Sequence, residues 1–235
     1  MKRKDKLLNF KWNKKYTYPA SVRSLVNDAR HYSVGDEKLP SVTTILSATQ
    51  SSEKRESLAR WQAKVGKNEA ERVKNVAGKR GTAMHQYLEY MVAEKNLLDL
   101  TEEGVEAKRM AEVVRDKGFN DLEEIWGSEV VLSYPGLYAG QTDLCGIYQG
   151  RESIIDFKQS NKPKREEWIE DYYYQMVAYA MAHDAIHGTQ IEQGVILMCT
   201  PDLFFQRFLL NGARFRQYKW KWLWRLNEYY KNRTT

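Results

Sequence analysis

The chain has 235 residues, 42% of them hydrophobic and 29% charged, an ordinary globular composition that excludes disordered, collagen-like and coiled-coil arrays. No apolar run reaches the length of a bilayer span, so no membrane partner is expected, and no apolar stretch follows the basic start, so no export signal is expected. Two cysteines, Cys145 and Cys199, cannot supply a four-thiolate iron–sulfur or zinc site and read as reduced thiols of a cytosol-like compartment.

The net charge of +6 is unevenly spread. Residues 1–15 carry seven basic residues against Asp5 alone, and residues 54–80 carry nine basic residues against three acids. Each stretch is locally +6, which leaves the remainder at −6. This is the pattern of a polyanion track beside an acidic centre, or of a lysine-rich helix face that water solvates.

In chain order, Arg30–Val34 reads as a short strand turned by Gly35-Asp36, and Ser41 as the N-cap of a short helix. Residues 53–76 read as one helix with Leu58, Trp61, Val65 and Val76 on one stripe and the basic residues mostly elsewhere. Gly78 and Gly81 are expected to interrupt it before a helix from Thr82 to Lys95. Thr101 with Glu102 and Glu103 opens a further helix that ends near Gly118. The period then changes to strands over 125–133, 137–148 and 153–158, a helix over 166–187, strands over 191–199 and 204–210, and a last helix over 213–231. The expected class is α/β or α+β, a central mixed β-sheet flanked by helices.

The chemistry concentrates in residues 140–158. With Gln149-Gly150 as a two-residue hairpin loop, Tyr148 pairs with Arg151, and counting outward sets Asp143 opposite Asp156. Their Cβ atoms would lie about 5 Å apart. Lys158 points to the same face as Asp156. Facing like charges destabilise a sheet, so a divalent cation, Mg²⁺ or Mn²⁺, is expected there, and removing the Asp143 charge is expected to stabilise the metal-free fold. Lys158 would orient or deprotonate a metal-bound water, or stabilise charge developing on the phosphorus centre. An exposed hairpin face with a chance Asp–Lys pair is the plainer alternative.

His85 and Glu89 lie one helical turn apart on an inward stripe beside Leu88 and Val92; a core histidine or a metal ligand fits that position. Gln175 falls among Trp168, Tyr172, Tyr179 and Ile186, and in an apolar stripe must hydrogen-bond either to backbone or to the site. The last helix has an inner stripe of Phe215, Tyr218, Trp222, Leu226 and Tyr229. Trp220 and Trp224 point outward, either to stack bases or to pack on a neighbour.

Taken together, Gly140-x-x-Asp143, Ile154-Ile155-Asp156-Phe157-Lys158 and Gln175-x-x-x-Tyr179 resemble the PD-(D/E)XK nuclease superfamily, in its RecB-like branch. Gly81-Thr82-x-x-His85-x-x-x-Glu89 resembles the upstream histidine motif of that branch, and Pro40–Leu46 with the basic helix after it is similar to its mitochondrial and phage exonucleases. The likeness runs from about residue 30 to residue 210. It implies a restriction-endonuclease-like core and a Mg²⁺- or Mn²⁺-dependent nuclease acting on DNA, with no iron–sulfur cluster here. Asp143, Asp156, the Phe157 carbonyl and His85 would hold the metal and Lys158 would be the catalytic lysine. Gln175, Tyr179 and Glu89 would support the site, with Glu129 as an extra acid. Single-stranded DNA ends would be the substrate, tracked by Arg60, Lys64, Lys67, Arg72, Lys74, Lys79 and Arg80.

One nuclease domain over 1–235 is expected: a basic segment 1–30, a helical track region 40–120 as an N-terminal helical extension, a catalytic core 121–212 and an aromatic, basic helix 213–235. Unwinding would come from replication or recombination partners. The start lacks the arginine-rich, acid-poor pattern of a transit peptide, so a phage or bacterial cytoplasm is expected, with mitochondria as the alternative. An endonuclease on the same fold and a non-catalytic DNA-binding protein are the competing readings.

Overall fold

The computed structural model describes residues 10–233, so the four basic residues at 1–9 lie outside the described residues. The elements run β1 (Lys11–Trp12), β2 (Ser21–Val26), β3 (Ala29–Val34), β4 (Glu37–Pro40), α1 (Val42–Ala48), α2 (Ser52–Val65), α3 (Lys67–Val92) and α4 (Glu102–Gly118). Then follow β5 (Leu122–Tyr134), β6 (Tyr138–Tyr148), β7 (Arg151–Gln159), α5 (Glu170–His187), β8 (Gln193–Cys199), β9 (Phe205–Asn211) and α6 (Gly212–Lys231). A six-stranded sheet has the order β1-β5-β6-β7-β8-β9. Its β1–β5 and β7–β8 pairs are parallel and the others antiparallel, the mixed sheet expected.

Helices cover both faces. On one face α1, α5 and α6 bury Ile45, Val177 and Trp222 against Cys145, Ile154 and Ile196. On the other, α3 and α4 bury Met84, Leu88 and Val114 against Leu144, Ile155 and Leu197. Burial on both sides explains why β8 reads as a near-continuous apolar run, Val195–Cys199, rather than an alternating one. The β6–β7 hairpin turns where expected, with φ of 50° at Gln149 and 70° at Gly150, and its register pairs Tyr148 with Arg151 and Leu144 with Ile155.

Four expectations change. The break in the 53–76 helix falls at Gly66, whose φ of 88° suits glycine, whereas Gly78 and Gly81 sit inside the 26-residue α3, held by the packing of Met84 and Leu88. The α2 stripe is not a core face: α2 has no buried residue, and Leu58, Trp61 and Val65 are exposed. The Trp168 and Ile186 ends of the expected α5 stripe are exposed too. Residues 21–40 form a separate three-stranded sheet, β2-β3-β4, of which β3 and the β3–β4 turn were foreseen and β2 and β4 were not. Ser41 caps α1, accepting from Thr44 N at 3.0 Å, and Thr101 caps α4, both as expected.

Candidate active site

The site grows from the sheet. Beyond the last β6–β7 pair, Leu144–Ile155, the next level belongs to Asp143 and Asp156. There the Asp143 carboxylate takes the Phe157 N–H instead, Oδ2 accepting at 2.6 Å. Across β6, the β5 register passes from Ser128–Leu144 to Val130–Thr142, so Glu129 shares the level of Asp143. Glu129 has a φ of 53°, a left-handed backbone that costs a glutamate about 1–2 kcal/mol and that marks functional sites. Gln141 Nε2 steadies it, donating to the Glu129 carbonyl at 3.1 Å and to Oε2 at 2.9 Å.

From α3, His85 reaches in, its Nδ1 3.2 Å from Asp143 Oδ1 and its ring edge-on to Phe157. One nitrogen of His85 and one oxygen each of Glu129 and Asp143 lie within 4.8 Å of one another. Ligands about 2.1 Å from an octahedral ion lie about 3 Å apart when adjacent and about 4 Å apart when opposite, so the cluster is of the right size. Lys158 makes an ion pair with the buried Asp156 Oδ2, and its ammonium lies 5.1 Å from the Tyr172 ring centre. The crowded acids and the mixed nitrogen and oxygen donors together fit a hard divalent cation.

Electrostatics divide the acids. Burial pushes the Glu129 carboxyl up to about 8, with the Asp143 charge adding to it. Burial likewise raises Asp156 to about 6, with Lys158 opposing and Asp143 adding. Burial acts against the Asp143 charge as well, but His85 and Lys158 outweigh it and hold this carboxyl below its ordinary value. Burial opposes the charges on His85 and Lys158, yet Asp143 raises the first and Asp156 with Asp143 the second. The lysine is therefore held protonated.

Gln175 donates to the Tyr179 hydroxyl at 2.9 Å, so it bonds toward the site. Tyr179 lies against Gly140: a Cβ there would stand 2.5 Å from the ring Cε1, which gives the glycine of Gly-x-x-Asp its physical reason. These residues, with Glu89, line one cleft of about 560 Å³. Arg23, Arg30, Tyr32 and Gln141 line it as well and were not foreseen. Glu129 had a signal in the sequence: with Pro135-Gly136-Leu137 as a three-residue turn, Tyr134 pairs with Tyr138 and counting back sets Glu129 opposite Asp143.

The basic track divides. Lys64, Lys67, Lys74 and Lys79 are exposed on α2 and α3. Arg60 pairs with Glu56 and Arg72 with Glu69 along the helix surface. Arg80 is not on an exposed track: it is buried, and its guanidinium donates to Gln159 at 2.8 and 3.0 Å, to Glu106 at 3.2 Å and to Asn161. Trp220 and Trp224 point outward as expected.

No family model matches the chain. It is 28% identical over 202 residues to the Homo sapiens protein named mitochondrial genome maintenance exonuclease 1, covering 81% of this chain and 58% of that protein. The Mus musculus protein of the same name is 29% identical over 203 residues, covering 81% of this chain and 59% of that protein. The chain thus spans about three fifths of the length of these curated relatives. The solved structure of SSO0001 superposes with a TM-score of 0.35 at 17% identity, covering 73% of this chain and 68% of that one. No helix among the described residues is long and apolar enough to cross a membrane.

Proposed function

We propose that the chain is a divalent-metal-dependent deoxyribonuclease that hydrolyses phosphodiester bonds at single-stranded DNA ends. The observation that supports this most is the meeting of His85, Glu129 and Asp143 beside the Lys158–Asp156 pair. His85, Asp143 and Glu129 would hold Mg²⁺ or Mn²⁺, with Asp156 and the Phe157 carbonyl as further oxygen donors. When bound, such an ion polarises a phosphoryl oxygen and lowers the pKa of a bound water. Lys158, kept protonated by Asp156 and Asp143, offers positive charge and hydrogen bonds to oxygens that gain charge in the transition state. That charge state favours an orienting, charge-stabilising lysine over a deprotonating one. Gln175 and Tyr179 hold the Gly140 end of the metal-bearing strand, and Glu89 lines the cleft beside His85.

The exposed lysines of α2 and α3 would lead a strand to this cleft. Their helix also bears His85, so the track region and the 121–212 core act as one nuclease unit within a single domain. The role that follows is DNA replication, recombination or repair, with replication or recombination proteins as partners, in a phage or bacterial cytoplasm. The relatives' name supports mitochondria as the alternative setting.

The test is a time course on end-labelled linear and on circular single-stranded DNA with Mg²⁺, Mn²⁺ or EDTA, beside Lys158→Ala. Metal-dependent loss of the linear form alone, absent in the variant while binding persists, is the expected result. Cutting of the circle would replace the exonuclease with an endonuclease. Tight binding without cutting under any metal would leave a DNA-binding protein.

A further inference from the structure

The cleft has a second wall that the acid cluster does not use. Arg23 on β2 and Arg30 on β3 both line it. The register pairs Arg23 with Tyr32 and Leu25 with Arg30, so Arg23, Arg30 and Tyr32 share one face of the small sheet. Tyr32 is buried and lines the cleft, which fixes that face as the inward one. The wall is anchored at Arg30 itself, whose carbonyl accepts from Ser41 N and from Thr44 Oγ1, each at 2.9 Å.

Both arginines are exposed, and neither side chain makes a hydrogen bond or ion pair among the described residues. Asp143, Asp156, Glu129 and Glu89 line the same cleft, yet none of them takes either guanidinium. Elsewhere Arg72, Arg80, Arg207 and Arg214 each meet a carboxylate within 4.0 Å. Two arginines that face an acidic cleft and pair with none of its acids keep about ten N–H donors for an incoming anion.

We propose that Arg23 and Arg30 form a clamp for the backbone phosphates of a nucleic acid strand, on either side of the bond presented to the acid cluster. This deepens the nuclease reading above and rests on it. A cleft floored with acids repels a polyanion at every phosphate. The guanidinium wall offsets that repulsion at the flanking phosphates and leaves the acids to a metal. Arginine suits the task because its planar fork meets two phosphate oxygens at once. The strand then runs between this wall and the α3 residues Gly81, Thr82 and Gln86, which line the same cleft. Both arginines act by holding the strand and are positioning residues.

The test compares the protein with Arg23→Gln/Arg30→Gln and with Arg23→Lys/Arg30→Lys. Binding of a fluorescent single-stranded oligonucleotide is titrated with salt in EDTA, and KM and kcat are measured with Mn²⁺. Each lost phosphate contact lowers the salt slope by about 0.7, so the glutamine pair should lose about 1.4. KM should rise about tenfold, equivalent to about 1.4 kcal/mol, with kcat within about twofold. The lysine pair should keep the slope, since it keeps the charge, and recover KM only in part. Neutral methylphosphonates at the clamped positions should weaken binding to the unaltered protein and add nothing in the glutamine pair; this arm stands even where that variant does not fold. An unchanged slope and KM in the glutamine pair, with the unaltered protein cutting DNA, would overturn the clamp. A preference for a 5′-phosphate over a 5′-hydroxyl that vanishes in the glutamine pair would overturn the backbone assignment in favour of the strand end. A protein that cuts no DNA under any metal would instead sink the nuclease reading.

Discussion

Glu129→Gln isolates the most unfavourable charge in the site. The Glu129 carboxyl titrates near 8 in the fold against an ordinary 4.5, because burial and Asp143 disfavour its charged form. Between those values the native protein holds a proton that the unfolded chain has released. Unfolding then releases a proton, and stability falls as pH rises through this window. Each pH unit of displacement is worth about 1.4 kcal/mol, so the full cost above the window is about 5 kcal/mol. The side chain is half-buried and solvent screens it, which reduces the working figure to about 2 kcal/mol. For a chain of this size that is about 4–8 °C in Tm. Glutamine keeps the oxygen that accepts from Gln141 Nε2 and the same backbone demand, and changes only the charge. The assay is Tm in EDTA from pH 5 to pH 9. The variant should match the unaltered protein at pH 5 and exceed it by that margin at pH 9. Saturating Mn²⁺ should reverse the order, because the ion neutralises the acids and the variant has lost a ligand. Parallel Tm–pH curves in EDTA would refute the reasoning.

Asp143→Asn should behave in the opposite sense and destabilise the metal-free fold at pH 7 by about 1.5–3 kcal/mol, the worth of a hydrogen bond to a charged group, read as a lower Tm. Its carboxyl sits below the ordinary 3.8, so the ion contributes stability above that pH and loses it on acidification. A gain in Tm would restore the expectation drawn from facing acids alone. Gly140→Ala should cost about 1–3 kcal/mol by overpacking against Tyr179, and Tyr179→Leu in the same chain should recover part of it; additive losses in a denaturant titration would count against the contact. Neutralising Lys64, Lys67 and Lys74 together should lower the salt slope of single-strand binding by about 2 without moving Tm, whereas Arg80→Ala should lower Tm by several degrees. The reverse pattern would return Arg80 to the track.

What the sequence made legible, and what it hid, follows from how local each signal is. The β6–β7 register could be counted because Gln149-Gly150 admits one tight turn, and the turn fixed every pair out to Leu144–Ile155. The caps at Ser41 and Thr101 are equally local. The apolar stripe of α2 was legible as a period, but a period does not say whether a partner covers it, and none does among the described residues. Gly78 and Gly81 look like breaks until Met84, Leu88 and the buried Arg80 pull one helix through them. Arg80 looks like one more surface cation, because its partners Glu106, Gln159 and Asn161 are distant in sequence. Arg23 and Arg30 form no motif, and only the fold of the small sheet brings them to the cleft.

The site makes most sense as a row. Glu129, Asp143 and Asp156 occupy one level of three adjacent strands, a row of like charges that a sheet does not tolerate unaided. The metal-free fold answers each acid differently. Asp143 has His85 and the Phe157 N–H, and Asp156 has Lys158. Glu129 has no cation within ion-pair distance among the described residues, and its charge is met by a proton instead. That asymmetry identifies where added positive charge gains most. A divalent ion held by Glu129 and Asp143 would displace the Glu129 proton at little cost near pH 8, with Lys158 remaining paired to Asp156. Metal binding should therefore release protons from Glu129 and from His85, which must be neutral to ligate an ion, and release more of them at pH 7 than at pH 9. Calorimetric titration in buffers of different ionisation enthalpy measures that number directly, and release that does not change between the two pH values would place the ion elsewhere.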